Sequence, residues 1–415
     1  MNLTHSSSWL GLLTGSLLLF TACQKEDAAP AADDSNEPVL RALTDTEAKT
    51  VNSSNDFAFR SFAALHEQAN GANVFMSPLS ISSALTMVYN GADGTTKEAM
   101  RQTLGFQPQT DQQINQAYQS LTTLLRGMDK RVTFGSANSI WYNQQYQLQL
   151  PFVQTNAQYF DATVRGMDFG AASTAETINA WVREKTQGKI DGIVEGTSAD
   201  QVMILVNAIY FKGAWAHAFD KALTRPAAFT RADGTTATVD FMTQSNGQYG
   251  YYQDADRRVI DIPYGNGQYS LTVVVPQGNA TVKDVVRSLN GAQLTTWLAA
   301  AKPSSWTLRL PRFKMQYKKE LGAMLAQLGM GEAFSSQANF SRMLSNSSAR
   351  LAISEVQHKT YLDVNEEGTE AAAVTSVGVI NTSVPPVVSV DRACVFLIRE
   401  KSTNAILFMG QLMNP

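Results

Sequence analysis

Glu366-Glu-Gly-Thr-Glu-Ala-Ala-Ala-Val-Thr-Ser-Val-Gly-Val-Ile-Asn-Thr-Ser-Val-Pro-Pro386 decides how this chain is read. After Glu370 it carries no charge until Asp391, and Ala, Val, Thr, Ser and Gly make up most of it. A membrane helix needs about twenty mainly apolar residues, and Asn381, Pro385, Pro386 and the many β-branched side chains argue against one. An ordinary buried strand runs about five or six residues, whereas this β-prone run is roughly three times longer, with Gly378 as its internal break. What remains is a segment that can become a long strand without having to be one. Alternation puts Thr369, Ala371, Ala373, Thr375, Val377, Val379 and Asn381 on one face, uncharged throughout and small over its first half, so it can pass between existing strands. An exposed, uncharged strand former invites aggregation, so keeping one implies a use for it.

The chain around it has 415 residues, 44% hydrophobic and 17% charged, enough for one large globular domain or two ordinary ones. A formal net charge of -3 leaves no electrostatic footprint for nucleic acid, and the basic pairs Arg257-Arg258 and Lys318-Lys319 read as solvated surface. No nucleic-acid partner is expected. Cys394 lies in the apolar run Ala393-Cys-Val-Phe-Leu-Ile398 and reads as a small core residue, and no disulfide to the distant Cys23 is expected.

Trp9 to Phe20 is an apolar run suited to a signal-peptide core and too short to span a membrane. It ends in Phe20-Thr-Ala-Cys23, which resembles the lipobox of bacterial lipoproteins, although Phe20 stands where Leu is usual and the first eight residues hold no Lys or Arg. The resemblance implies a signal peptide over residues 1–22 and lipidation of Cys23 as the mature N-terminus. Gln24-Lys-Glu-Asp27 resembles the short export signal of some bacterial surface lipoproteins. An outer-membrane lipoprotein, extracytoplasmic and exposed on the cell surface, is therefore expected, the plain alternative being an incidental cysteine in a cleaved peptide. Residues 23–50, rich in Ala, Pro, Asp and Ser, read as a disordered tether, followed by one α+β domain over residues 51–415.

Within that domain, Phe57, Phe59, Phe62, Leu65 and Ala69 predict a helix, and Asn73-Val-Phe-Met-Ser-Pro-Leu-Ser80 a short strand running into a helix with Ser77 as N-cap and Pro78 at its first position. A Gln-rich helical region to Met128, a strand over 132–142, and helices over 151–159 and 175–190 follow. Val202 to Gly213 is the most apolar run and reads as a central strand. The rest is mostly strand, with helices near 282–289 and 319–328 and turns at Asp233-Gly234 and Asn266-Gly267.

Taken together, Asn73-Val-Phe-Met-Ser-Pro-Leu-Ser-Ile-Ser82, Asn207-Ala-Ile-Tyr-Phe-Lys-Gly-Ala-Trp215 with Phe219, Leu310-Pro-Arg-Phe-Lys314, His358-Lys-Thr360, Val364-Asn-Glu-Glu-Gly-Thr-Glu-Ala-Ala-Ala373 and Leu407-Phe-Met-Gly410 resemble the serpin family in order and spacing. The resemblance implies three sheets, roughly nine helices and an exposed reactive loop near the C-terminus, in a metastable fold. It implies a suicide inhibitor of serine endopeptidases, in which loop insertion stalls an acyl-enzyme. Family spacing places the reactive bond at Thr382-Ser383. Glu366, Gly368, Thr369, Glu370, Ala371, Ala372 and Ala373 correspond to the inhibitory hinge. Ser77, Ser80, Asn207 and His358 correspond to a polar cluster where strands part, and Trp215 to the point of first insertion. Read singly, each of these is a satisfied core residue.

Val379, Ile380, Asn381 and Thr382 suit an elastase-like or subtilisin-like pocket; no Lys or Arg lies between Glu370 and Arg392 to suit a trypsin-like one. No Gly-x-Ser-x-Gly elbow, His-Glu-x-x-His, P-loop or Cys-x-x-Cys occurs, and His5, His66, His217 and His358 lack metal-ligand spacing. No catalysis, cofactor or metal is expected, and the chain is read as a monomer. A serpin-fold surface lipoprotein that binds without inhibiting is the second reading.

Overall fold

The computed structural model describes residues 36–37, 40–106, 108–346, 350–369 and 386–415. Cys23 and the reactive-stretch positions Glu370, Ala371, Ala372, Ala373, Val379, Ile380, Asn381, Thr382 and Ser383 lie outside them. In chain order the helices are α1 (Asp45–Gln68), α2 (Pro78–Tyr89), α3 (Gly94–Leu104), α4 (Asp111–Gly127), α5 (Leu150–Phe160), α6 (Thr174–Lys185), α7 (Val282–Ser288), α8 (Gly291–Ala300) and α9 (Gly322–Leu325). The strands are β1 (Val74–Met76), β2 (Val132–Asn143), β3 (Thr163–Met167), β4 (Met203–Ala214), β5 (Asp220–Thr230), β6 (Thr236–Gln244), β7 (Tyr249–Gln253), β8 (Arg257–Pro263) and β9 (Tyr269–Pro276), then β10 (Lys302–Ser304), β11 (Thr307–Pro311), β12 (Phe313–Glu320), β13 (Glu355–Asn365), β14 (Gly368–Thr369), β15 (Val387–Ser389), β16 (Cys394–Glu400) and β17 (Ile406–Leu412).

Local chemistry sets several boundaries. Thr44 accepts the Glu47 N–H while the Glu47 carboxylate accepts the Thr44 N–H, so α1 opens on a capping box. Arg41 pairs with the same carboxylate. The helix thus takes in residues 45–50, which the sequence reading gave to the tether; Thr44-x-x-Glu47 was the available signal. The expected helix over 319–328 starts late, because residues up to Glu320 end β12, where Phe313 and Met315 are buried and Lys314, Gln316, Lys318 and Glu320 exposed, a period of two. Helical structure then runs from α9 through a π-helical turn over Ala326–Met330. The helix expected to run to residue 190 stops at Lys185, because Gln187 and Gly188 take positive φ. Unforeseen in the sequence is α8, capped by the Asn290 side chain on the Gln293 N–H.

The strands form three sheets: β1-β17-β16-β9-β8-β7-β10, β15-β11-β6-β5, and β12-β13-β14-β4-β2-β3. Every position of β16 and β17 is buried, Cys394 included, and burial pushes its thiol up to about 12. Along β4, Met203, Leu205, Ile209 and Phe211 enter the main core, while Ile204, Val206 and Ala208 enter a second cluster capped by Ile178 and Val182 of α6. A strand covered on both faces reads as a continuous apolar run, as Val202 to Gly213 does. Asn207 interrupts the main-core face, and that interruption matters below.

Candidate functional site

Two clusters lie along one seam, the join between β4 and β13. From Glu355 opposite Ile204 to Tyr361 opposite Tyr210 the two strands pair in parallel. Beyond that point they part, and β14 fills the opening. Gly368 stands opposite Ala214 and Thr369 opposite Gly213 on one side, while Asn365 faces Gly368 and Val364 faces Thr369 on the other.

The opening is held by the turn at Glu366-Glu367. Its carbonyls accept the Phe219 N–H at 2.8 Å and the Trp215 N–H at 3.1 Å, and the Thr224 hydroxyl donates to the Glu366 carboxylate at 2.8 Å. Lys221 pairs with the Glu367 carboxylate. Indole Nε1 of Trp215 donates to the Asn365 carbonyl at 2.8 Å, and the indole stacks on Tyr264 with centroids 4.4 Å apart and planes 9° from parallel. The Tyr264 hydroxyl meets the Thr369 hydroxyl at 2.9 Å. Gly368 has φ +148°, and a Cβ there would sit 2.1 Å from the Gly213 carbonyl oxygen, so the backbone passes where only glycine fits. Of the sequence-predicted hinge residues described, Glu366, Gly368 and Thr369 therefore lie beside Trp215.

Six residues down β4, roughly 20 Å away at about 3.3 Å per residue, lies the second cluster. Asn138, Asn207 and His358 stand side by side on β2, β4 and β13. Ser77 N–H donates to His358 Nε2 at 3.2 Å, so that nitrogen must be the unprotonated one; Nδ1–H then donates to Asn207 Oδ1 at 2.7 Å. The Asn207 amide donates to Asn138 Oδ1 at 2.7 Å and to the Ser80 hydroxyl. Ser80 Oγ lies 2.8 Å from Ser136 Oγ. His358 is fully buried, and burial pushes its imidazole down to about 3, which keeps this donor–acceptor chain in its neutral form. Ser77 occupies the N-cap position of α2, but its hydroxyl donates to the Leu407 carbonyl at 2.6 Å and caps nothing.

Ser77, Ser80, Asn207 and His358 are thus brought together, and Trp215 is not among them. Sequence reasoning missed Asn138, Ser136 and Tyr264. The first two carried a signal: polar residues two apart on the core face of a predicted strand. Tyr264 carried none, since its role depends on the fold. Among the described residues no group of three or more His, Cys, Asp or Glu could hold a metal, and no helix is long and apolar enough to cross a membrane.

A family model, serpin (serine protease inhibitor), matches residues 52–415. Leukocyte elastase inhibitor of Bos taurus is 36% identical over 375 residues, covering 86% of this chain and 97% of the relative. An uncharacterized serpin-like protein of Methanosarcina mazei is 32% identical over 427 residues, covering 96% and 95%. Among solved structures, human thyroxine-binding globulin complexed with thyroxine superposes with a TM-score of 0.83 at 29% identity over 89% of this chain and 99% of its own. The thermophilic serpin Tengpin in its native state gives 0.80 at 29% over 92% and 97%. The three sheets and the nine α-helices among the described residues are the serpin fold. The chain is therefore no enzyme, and it belongs to the serpin family of serine protease inhibitors.

Proposed function

We propose that this chain is a suicide-type inhibitor of serine endopeptidases that traps its target as an acyl complex by inserting the stretch after Thr369 into the β4–β13 seam. One observation carries the reading: β14 already pairs with both strands at the mouth of the seam. Antiparallel pairing steps one residue back for each residue forward. Continued from Gly368 opposite Ala214, the register brings Thr375 opposite Asn207; continued from Thr369 opposite Val364, it brings Thr375 opposite His358. Both ladders agree on the same residue. Insertion would drive Thr375 between the two side chains of the lower cluster, replacing their direct hydrogen bond with its own hydroxyl. That cluster is a latch that the incoming strand opens and then refastens.

In this mechanism the protease serine Oγ adds to the Thr382 carbonyl carbon, the bond to Ser383 breaks, and the freed Ser383 amine leaves with a proton. The chain from Gly368 to Thr382, about 45 Å at roughly 3.3 Å per residue, then enters the sheet with the acylated protease attached. Carrying the protease away from its starting position distorts its catalytic groups before water can release it. Val379, Ile380 and Thr382 favour an elastase-like or subtilisin-like pocket, and the name of the bovine relative points the same way. A lipid on Cys23 would hold the domain at a membrane surface on the outside of the cell.

Incubation with pancreatic elastase is expected to give an SDS-stable band at the summed mass. Cleavage without such a band would support the second reading, a serpin-fold binding protein, which the likeness to thyroxine-binding globulin favours.

A further inference from the structure

Asp129, between α4 and β2, is 3% exposed, and N–H groups meet its carboxylate. The Arg131 N–H reaches Oδ1 at 2.8 Å and the Asn266 N–H reaches Oδ2 at 2.7 Å. A further donor comes from far along the chain. Asn36 gives its Nδ2–H to Asp129 Oδ1 at 2.8 Å, while its own Oδ1 accepts the Lys130 N–H at 2.8 Å. The Asn36 carbonyl in turn accepts from Asn266 Nδ2 at 2.9 Å. A carboxylate oxygen and a backbone N–H set side by side match the two ends of a carboxamide. The sequence reading gave residue 36 to the tether, yet the structure docks it on the folded domain.

We propose that Asn36 is a clip by which the N-terminal segment restrains opening of the β4–β13 seam. The inference rests on the insertion reading, and the placement of two loops carries it. Residues 128–131 lead into β2, which pairs with β4 from Val132 opposite Gly213. Asn266 lies on the turn between β8 and β9, in the sheet that also holds β1 and β17. That sheet is tied to β13: the Thr360 hydroxyl donates to the Phe75 carbonyl of β1 at 2.6 Å, and Ser77 bonds both His358 and the Leu407 carbonyl of β17. A strand entering the seam moves β4 and β2 away from β13 by about 4.8 Å. The two loops therefore belong to opposite sides of the opening, and Asn36 bonds to both. They meet around Ala214, which faces Gly368. Its N–H donates to the Arg131 carbonyl at 3.3 Å, and its carbonyl accepts the Gly265 N–H at 2.8 Å. Packing there is so close that a Cβ on Gly265 would lie 1.9 Å from Asp129 Oδ2. Since β14 already holds β4 and β13 apart at that end, β4 swings about it, and bonds across the pivot resist the swing.

The test uses the full, uncleaved chain and a synthetic peptide with the sequence of residues 370–382, which fills the seam in place of the chain's own stretch. Uptake is timed by the rise in melting temperature. Asn36→Ala is expected to speed uptake about fivefold, and Asn36→Asp, which sets a second carboxylate against Asp129, about tenfold. Arg41→Gln, which loosens the same segment where it pairs with Glu47 and leaves the clip intact, should take up peptide at the parent rate. Hydrogen exchange at the Lys130 amide should quicken in both Asn36 variants, showing that the clip has been released. Parent-rate uptake in Asn36 variants with that faster exchange overturns the proposal, and so does acceleration by Arg41→Gln as great as by Asn36→Ala. A parent and variants that all refuse the peptide would sink the insertion reading and the clip with it, an outcome distinct from equal, measurable rates.

Discussion

The hydroxyl groups of Thr369 and Tyr264 lie 2.9 Å apart and both residues are buried, so the leading residue of the reactive stretch is bonded to the ring on which Trp215 stacks. Under the proposed mechanism, this bond would fix the register of entry into the sheet before any bond is cut. Burial pushes the Tyr264 phenol upward, so the pair stays uncharged.

Thr369→Arg places a guanidinium at a fully buried position, at a cost of several kcal/mol. The variant is expected to be cleaved at least as fast as the parent while yielding less than about a tenth of its SDS-stable complex. Densitometry of complex against cleaved chain decides this; equal trapping by the variant would refute the role given to the hinge.

Thr375 should matter at the latch. In the cleaved, inserted state, Thr375→Val would leave the His358 Nδ1–H and the Asn207 carbonyl oxygen facing a methyl group, at a cost of about 1–3 kcal/mol for buried unpaired groups. The melting temperature of the cleaved variant should fall below that of cleaved parent, while the two intact proteins melt together. The difference between the two comparisons isolates the inserted state.

Acid should weaken the intact protein through His358. Its imidazole titrates near 3 when folded and near 6.5 when unfolded, so between those values the unfolded chain binds a proton that the folded chain refuses. Stability is complete above about pH 6.5 and falls with pH below it, by up to ~1.4 kcal/mol per unit. Glu47, held down to about 2 by Arg41, adds a loss in the same direction below about pH 4.5. Melting temperatures from pH 7 to 4.5 should drop more steeply for the parent than for His358→Asn.

Cleavage between residues 370 and 385 should raise the melting temperature by tens of degrees, because it frees the stretch to complete the sheet. Calorimetry before and after limited proteolysis checks this, and an unchanged midpoint would argue for a non-inserting protein.

Much of this arrangement was legible in the sequence. Val202 to Gly213 announced a strand covered on both faces, and the segments around Ser77, Asn207 and His358 located the buried polar cluster. Gly368 was readable as a hinge residue, but not the reason for it, which is the Gly213 carbonyl on the neighbouring strand. Asn138 and Ser136 were readable as polar residues on the core face of a strand, but their partners Asn207 on β4 and Ser80 on α2 were not. Tyr264, on the turn after β8, reaches Thr369 across 105 residues of chain, a contact that no local pattern encodes. The helix expected from residue 319 begins at Gly322, because the register of β12 on β13 keeps Lys318, Lys319 and Glu320 in the strand.

The parallel join of β4 and β13 has one more consequence. Taken across the sheet, β12 runs opposite to β13, β13 runs with β4, and β4 runs opposite to β2. From β12 to β2 the up-and-down order thus contains one repeated direction, at its middle; the edge pair β2 and β3 is parallel as well. A single strand laid between β13 and β4, opposed to both, makes the order alternate from β12 to β2, and β14 already supplies its first two residues in that orientation. That join is a break in parity, and under the proposed mechanism the segment that follows β14 would mend it.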